Sequence, residues 1–374
     1  MRAGWLALAV AVLLSGCHTR AGVASIGSQD RPSPVSYRVT GTVTVGKGPA
    51  GVAVDPGTHT VYVANTADDT VSVIDAATRT VVGTIPVSDK PSAIAVDPGT
   101  HTVFVRHSGY QSSGNGPYRS EAANVSVIDG ATRTVIATVP VGKGCCSGLT
   151  VDPAAHLVYV TNDEDDTLSV IDGKGPRPTY AVIDTVPVGA ELTGVAVDPG
   201  KNSIYAVTER GGTGGNSPPV GKNLVRVIDG VSRTVTATIP GGPGPRAVTV
   251  DHSTHDVYVA NFWGRDVSVI DGSTQSLTAT VPVAAGVAGV PGFEVDPSTH
   301  TVYVTSYDTN ADSGTLSVID GSTRVVTSTV AVGKNLRGLA VDPVTHVVYV
   351  ANDPESSSKS TIDGTVSIIE SVIG

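Results

Sequence analysis

Aromatic residues are scarce in this chain, at 4% of its 374 residues, and methionine occurs once. The apolar residues, 40% of the total, are mainly valine, isoleucine and alanine, interspersed with 43 glycines and 24 prolines. Such a composition disfavours long helices and suits short strands between turns. Apolar content is still ample for a core, which excludes a disordered chain. Positive charge is also in deficit. The 24 Lys and Arg stand against 34 Asp and Glu, a formal net charge of −10. That balance argues against general nucleic-acid binding, which needs basic surface to displace counterions, though a local basic patch is compatible with it. Familiar chemical motifs are missing too. There is no nucleophile elbow, no P-loop, no GxGxxG leading into a helix and no His-Glu-x-x-His. Cys-x-x-Cys-His is absent, so no covalent haem is expected. After the first residues, no stretch is long and apolar enough to cross a bilayer.

Those first residues read as an export signal. Arg2 gives a positive start, and Trp5 to Leu14 is an apolar run too short to span a membrane comfortably. Leu14-Ser15-Gly16-Cys17 then resembles the lipobox of bacterial lipoproteins. The resemblance implies that Cys17 becomes the mature N-terminus and carries lipid. The chain would then be exported and anchored to the outer membrane or to the outer face of the cytoplasmic membrane. The alternative is an ordinary secretory signal in residues 1–17 with a chance cysteine. Residues 18–36, rich in Ser, Gly and Pro, read as a flexible tether.

Internal repetition decides the rest. Gly51-Val52-Ala53-Val54-Asp55-Pro56 recurs as a motif ending in Asp97, Asp152, Asp198, Asp251, Asp296 and Asp342. Seven residues after each Asp stands an aromatic: Tyr62, Phe104, Tyr159, Tyr205, Tyr258, Tyr303 and Tyr349. A third strand ends at Asp75, Asp129, Asp172, Asp229, Asp271, Asp320 and Glu370, and a fourth near Pro86, Pro140, Pro187, Pro240, Pro282 and Ala331. Each unit is four short strands, and a period of about 48 residues suits one propeller blade. The seventh unit stops after its third strand. Its missing fourth strand is expected at the other end, in Arg38 to Val45, so that pairing of the chain ends leaves no open edge. The predicted fold is all-β: a closed seven-bladed propeller of four-stranded antiparallel blades over residues 37–374.

These residues also carry a family resemblance. Tyr159-Val160-Thr161-Asn162 is a literal YVTN, and Tyr62, Tyr258 and Tyr349 each begin Tyr-Val-Ala-Asn. The chain resembles the YVTN-repeat β-propellers exported by bacteria and archaea. That resemblance implies a propeller after the tether but says little of function, because propellers host binding, structural and enzymatic roles.

Loop lengths separate the two faces of the disc. With strands A to D counted outward from the channel, the A–B turn has one length throughout. The C–D turn varies only in blade 3, after Lys174. The B–C loop is short after Asn65, Asn162 and Asn261 but long after His107, Thr208, Ser306 and Asn352. The D–A loop varies at Cys145-Cys146 and between Ala284 and Pro291. B–C and D–A loops share a face, and variable loops on a rigid scaffold are where function tends to sit. His59, His101, His156, His255, His300 and His346 all fall in the A–B turn, one per blade. So spread, they cannot converge on one metal, and turn hydrogen bonding or packing is the expected role.

Residues that break the repeat are the site candidates. Near the channel, Arg246 and Arg337 replace small or polar residues, and Glu294 replaces a small one in blade 6. They can form an anion-binding or acid–base cluster, or pair structurally. His107 stands where other blades have Asn, beside Arg106 in a small-residue slot. It is either a proton shuttle or an anchor for the loop behind it. Phe262-Trp263, with Tyr110, Tyr118 and Tyr307 in other loops, suggests an interface anchor or sugar platform, or packing against the blade 4 loop. Cys145-Cys146 can form a strained vicinal disulfide or remain two thiols. The acidic run containing Asp163, Asp165 and Asp166 can hold Ca²⁺ but lacks an EF-hand pattern, so a solvated turn is expected and no cofactor is predicted.

Three functions compete. The favoured one is a binding module that engages a protein, glycan or envelope component through its B–C/D–A face. The second is a lactonase- or lyase-like enzyme using Glu294, His107, Arg246 and Arg337, which requires those side chains to converge. The third is single-stranded nucleic-acid binding, disfavoured by net acidity.

Overall fold

The computed structural model describes residues 35–111, 119–120, 122–144, 148–174, 180–189, 191–209, 223–283, 292–308, 313–355 and 360–373. They form seven four-stranded antiparallel sheets and one two-stranded ribbon, Tyr110–Gln111 with Arg119–Ser120. Blade 1 shows the pattern: strand A is Pro49–Asp55, B is Thr60–Asn65, C is Thr70–Asp75 and D is Thr80–Pro86. The other inner strands are Pro91–Asp97, Leu149–Asp152, Leu192–Asp198, Pro245–Asp251, Phe293–Asp296 and Leu336–Val341. Each touches the next in chain order, and the last returns to the first, so the ring is closed.

Closure uses the chain ends as the repeat phase requires. Strand Val35–Lys47 pairs antiparallel with Asp363–Ile373 and supplies the outermost strand of blade 7. It is longer at both ends than the expected Arg38 to Val45. Tyr37 on this strand meets Tyr303 of blade 6 edge to face, with ring centroids 6.0 Å apart. The first strand therefore closes its own sheet and also packs across a blade seam.

Burial follows position in the blade. Strands B and C are covered on both faces by neighbouring blades, so Thr60–Asn65 and its counterparts are almost wholly buried. This explains their near-continuous apolar runs. Strand D alternates outward and inward instead; in Thr80–Pro86 only Ile85 is buried. The core is not one body but seven clusters, each straddling one seam. The recurring aromatic of strand B lies in each cluster. Burial pushes the hydroxyls of Tyr62, Tyr159 and Tyr349 up to about 12, so they remain protonated.

Hydrogen bonds assign the two faces. The carbonyl of the last A–B turn residue accepts from the first C–D turn residue, as at Gly130 N to His101 O and Gly272 N to His255 O. On the opposite face, B–C turn carboxylates hold D–A loop amides: Asp68 accepts from Lys47 N and Asp69 from Lys90 N.

The A–B turn histidines have a defined task. Each has a positive φ, between 51° and 64°, a region that His tolerates better than most residues. Each places Nδ1 on a carboxylate of the preceding blade. The pairs are His59–Asp342, His101–Asp55, His156–Asp97, His255–Asp198, His300–Asp251 and His346–Asp296. The same buried aspartates also hold their own turns, as Asp55 does by accepting from Gly57 N. Asn202 occupies the histidine's place in blade 4.

Candidate binding face

The loop face brings two of the sequence outliers into one group. Arg246 opens strand A of blade 5, and Phe262-Trp263 begin the B–C turn of the same blade. The Arg246 guanidinium carbon lies 3.9 Å from the centre of the Phe262 ring. Its Nε donates to Glu209 Oε2 at 2.9 Å. The second carboxylate oxygen accepts from Trp263 Nε1 at 3.0 Å. Phe262 and Trp263 meet edge to face at 4.6 Å. Glu209 is nearly buried, whereas the Arg246 side chain is 37% exposed. The carboxylate therefore joins two blades, and Arg246 is held over an aromatic ring on a side chain that remains partly exposed. Gly244 makes room for this group: its φ is 68°, and a Cβ there would collide with Trp263 Cδ1.

Glu294 lies apart from both arginines. It is half-buried on strand A of blade 6, where Thr249 of blade 5 donates to its Oε1 at 3.1 Å. Its other hydrogen bond comes from Val295 N. Burial holds the carboxyl up at about 7, and these two hydrogen bonds only partly oppose it. Arg246 is three residues closer to the loop face along its own strand, a rise of about 10 Å. Arg246 pairs with Glu209, and Arg337, 41% exposed, lies 3.8 Å from Asp353. The expected single cluster of Glu294 with the two arginines does not form.

His107 is placed in blade 2 and is buried. Its Nε2 is 2.8 Å from Ser126 Oγ, and its Nδ1 is 3.1 Å from Asp89 O. In blades 1, 3, 5 and 7 the corresponding Asn reaches the matching serine of strand C, as Asn65 does with Ser72. His107 thus takes over the structural contact of the residue it replaces. Burial pushes its pKa down, so it stays neutral. Arg106 is fully buried, and its Nη2 donates to Gly144 O at 2.9 Å.

The acidic run in blade 3 works as loop stitching. Asp165 accepts from Lys143 N, and Asp166 from Glu191 N, as Asp68 and Asp69 do in blade 1. Asp163 is a neighbour of Gly144 in the same loop layer. Among the described residues, no group of three or more His, Cys, Asp or Glu is arranged to hold a metal ion. Cys17, Cys145, Cys146 and Tyr118 lie outside the described residues, as does the side chain of Tyr110.

Two residues of this layer escaped the sequence reading. Glu209 follows Thr208, in the same repeat slot as Thr66, Phe262 and Tyr307, and from that slot it reaches Arg246 at the start of strand A in the next blade. Thr66 shows the same geometry, donating to Pro91 O at 2.7 Å. A comparison of that slot across blades would have singled out Glu209. Arg226 replaces the strand C serine in blade 4 and donates to Thr238 Oγ1. Its repeat position alone would have revealed it.

The chain matches no protein-family model and no curated protein. In structure it is similar to a chain described as Kuenenia stuttgartiensis hydrazine synthase. The TM-score is 0.67 with 18% identity, over 89% of this chain and 98% of that one. At that identity the likeness concerns the fold alone. The chain is a seven-bladed β-propeller whose loop face carries a built aromatic, arginine and carboxylate group.

Proposed function

We propose that the protein is an exported, lipid-anchored propeller of the YVTN-repeat kind that acts as a binding module, engaging an envelope protein or glycan through its B–C/D–A face. One observation carries this reading: the face on which loop length varies is also the face on which Arg246, Phe262 and Trp263 stand half-exposed. The opposite face is made of short turns of nearly constant length. Propellers commonly serve as interaction modules, and loops on a rigid scaffold supply the specificity. Export and anchoring rest on the lipobox-like Leu14 to Cys17, and the family on the quoted Tyr-Val-Thr-Asn residues.

One feature favours an enzyme instead: Glu294 has a carboxyl poised near neutrality beside the channel. The base expected to work with it, His107, has both ring nitrogens engaged inside blade 2. Binding therefore remains the better account.

The test uses both faces. Residues 18–374, which contain the whole closed ring, are sedimented with envelope fragments of the producing cell. Arg246→Ala and Phe262→Ser should each reduce co-sedimentation, whereas Val231→Ser and Val344→Ser on the opposite face should not. Equal loss from both pairs, or none, would count against the loop face. For the anchor, Cys17→Ala should move the full chain from the membrane to the soluble fraction.

A further inference from the structure

We propose that Arg246 is a carboxylate-recognition residue, presenting the outer edge of its guanidinium to a singly charged, planar carboxylate on the ligand. This rests on the loop-face reading above and deepens it by naming the chemistry that the face recognises.

The geometry supplies three elements of such a site. First, the guanidinium is oriented. Phe262 places its ring centre 3.9 Å from the guanidinium carbon, and Glu209 fixes Nε at 2.9 Å, so little side-chain freedom is left to lose on binding. Second, its recognition edge is available. Among the described residues the bond through Nε is its one hydrogen bond, so Nη1 and Nη2 form a coplanar fork on a side chain that is 37% exposed. That fork matches two carboxylate oxygens. Third, Glu209 is held by groups of its own. Its oxygens are occupied by Arg246 and by Trp263 Nε1, and it is only 11% exposed. An incoming ligand therefore meets the cation more directly than the anion.

The choice of carboxylate over phosphate follows from charge. Glu209 already offsets part of the Arg246 charge, and the protein carries a net charge of −10. A doubly charged phosphate costs more to desolvate than a carboxylate and gains too little from a cation already partly neutralised. Position agrees with this. Arg246 begins an inner strand, at the loop-face end of the channel, and Arg337 stands in the same slot two blades on. A carboxylate there can belong to an acidic sugar or to a peptide C-terminus.

The protein carries its own reporter. Of its two tryptophans, Trp5 lies in the leader, so Trp263 is the sole tryptophan of residues 18–374. Its indole N–H sits on the same Glu209 carboxylate that orients Arg246. Trp263 fluorescence is titrated with D-glucuronate, with N-acetylglycine, with the methyl ester of glucuronate and with inorganic phosphate. Saturable changes are expected with one or both free acids at millimolar concentration, and none with the ester. Response to glucuronate alone assigns an acidic sugar; response to both assigns any accessible carboxylate.

Arg246→Lys keeps the charge but loses the fork and should weaken binding about tenfold. Glu209→Gln keeps one acceptor for the two N–H groups that Glu209 holds, so it unseats Arg246 or Trp263 and should also weaken binding. An unchanged melting temperature in Arg246→Lys keeps that comparison to binding. Carboxylate binding unaffected by Arg246→Lys, no carboxylate binding at all, or phosphate binding more tightly would overturn the assignment. If envelope co-sedimentation persists while carboxylates fail to bind, this inference falls and the loop-face reading stands.

Discussion

His101 Nδ1 lies 2.8 Å from Asp55 Oδ2, across the seam between blades 1 and 2. Asp55 is buried while the histidine is 45% exposed. The aspartate thus spends one oxygen on its own turn and the other on the next blade. Six of the seven seams carry this contact, and it couples the local turn to ring assembly. At the blade 7 to blade 1 seam the His59–Asp342 distance is longer, at 3.3 Å. Val344 stands there in the slot that holds glycine beneath His101.

Removing a latch should cost about 1–3 kcal/mol, because a buried carboxylate oxygen loses its partner. His101→Ala is therefore expected to lower the urea midpoint without changing the slope. The converse change is more discriminating. Asn202→His should add the missing latch to Asp152 and raise stability by about 1 kcal/mol. No gain would mean that the contact follows from ring closure and does not support it.

Glu294 makes stability depend on pH in a definite direction. Its folded carboxyl sits at about 7, above the ordinary value of 4.5. Its contribution is then fully present below pH 4.5 and is lost as pH rises through 7, by at most about 3 kcal/mol. Glu294→Gln should be no less stable than the parent at acid pH and more stable at pH 8. Urea unfolding of both proteins across this range gives the comparison. Parallel pH profiles would contradict the burial argument.

His107 predicts the opposite slope. Its pKa is held below the usual 6.5 by burial, so the unfolded chain binds the proton more readily. Stability is lost as pH falls below 6.5. His107→Asn restores the residue that blades 1, 3, 5 and 7 use and should remove this acid sensitivity. Retained sensitivity in the variant would assign it to other groups.

The Trp263 group depends on the missing side chain at Gly244. Gly244→Ala places a methyl against the indole at a positive φ. The expected result is a red-shifted Trp263 emission and a loss of about 1–3 kcal/mol, with the Trp263–Glu209 bond broken. An unshifted emission would show that the turn moves instead.

Much of the fold is legible because its key contacts recur. Asp-Pro, the strand B aromatic and the Asn slot each repeat at nearly fixed spacing, so one sequence holds seven samples of the same physical problem. The closing strand is legible for a related reason: the seventh unit lacks a partner that Val35–Lys47 alone can supply. The site is harder to read. Arg246 and Phe262-Trp263 stand out as departures from the repeat, but their junction through Glu209 does not. That contact joins loop residues of adjacent blades, and its partners are 37 and 54 positions away. Glu294 misled in the other direction. It shares a ring with the arginines but sits at another depth along strand A, and sequence gives no direct measure of depth. The histidines were legible as turn residues, yet their carboxylate partners belong to the neighbouring blade and appear only once the ring is closed.

The central claim is that the B–C/D–A face meets the partner. Photocross-linking in living cells addresses it most directly, with a benzophenone side chain placed at Phe262 in one version and at Val344 in the other. The account predicts a discrete adduct from position 262, absent with Arg246→Ala, and none from position 344. An adduct from position 344 alone, or none from either, would contradict it.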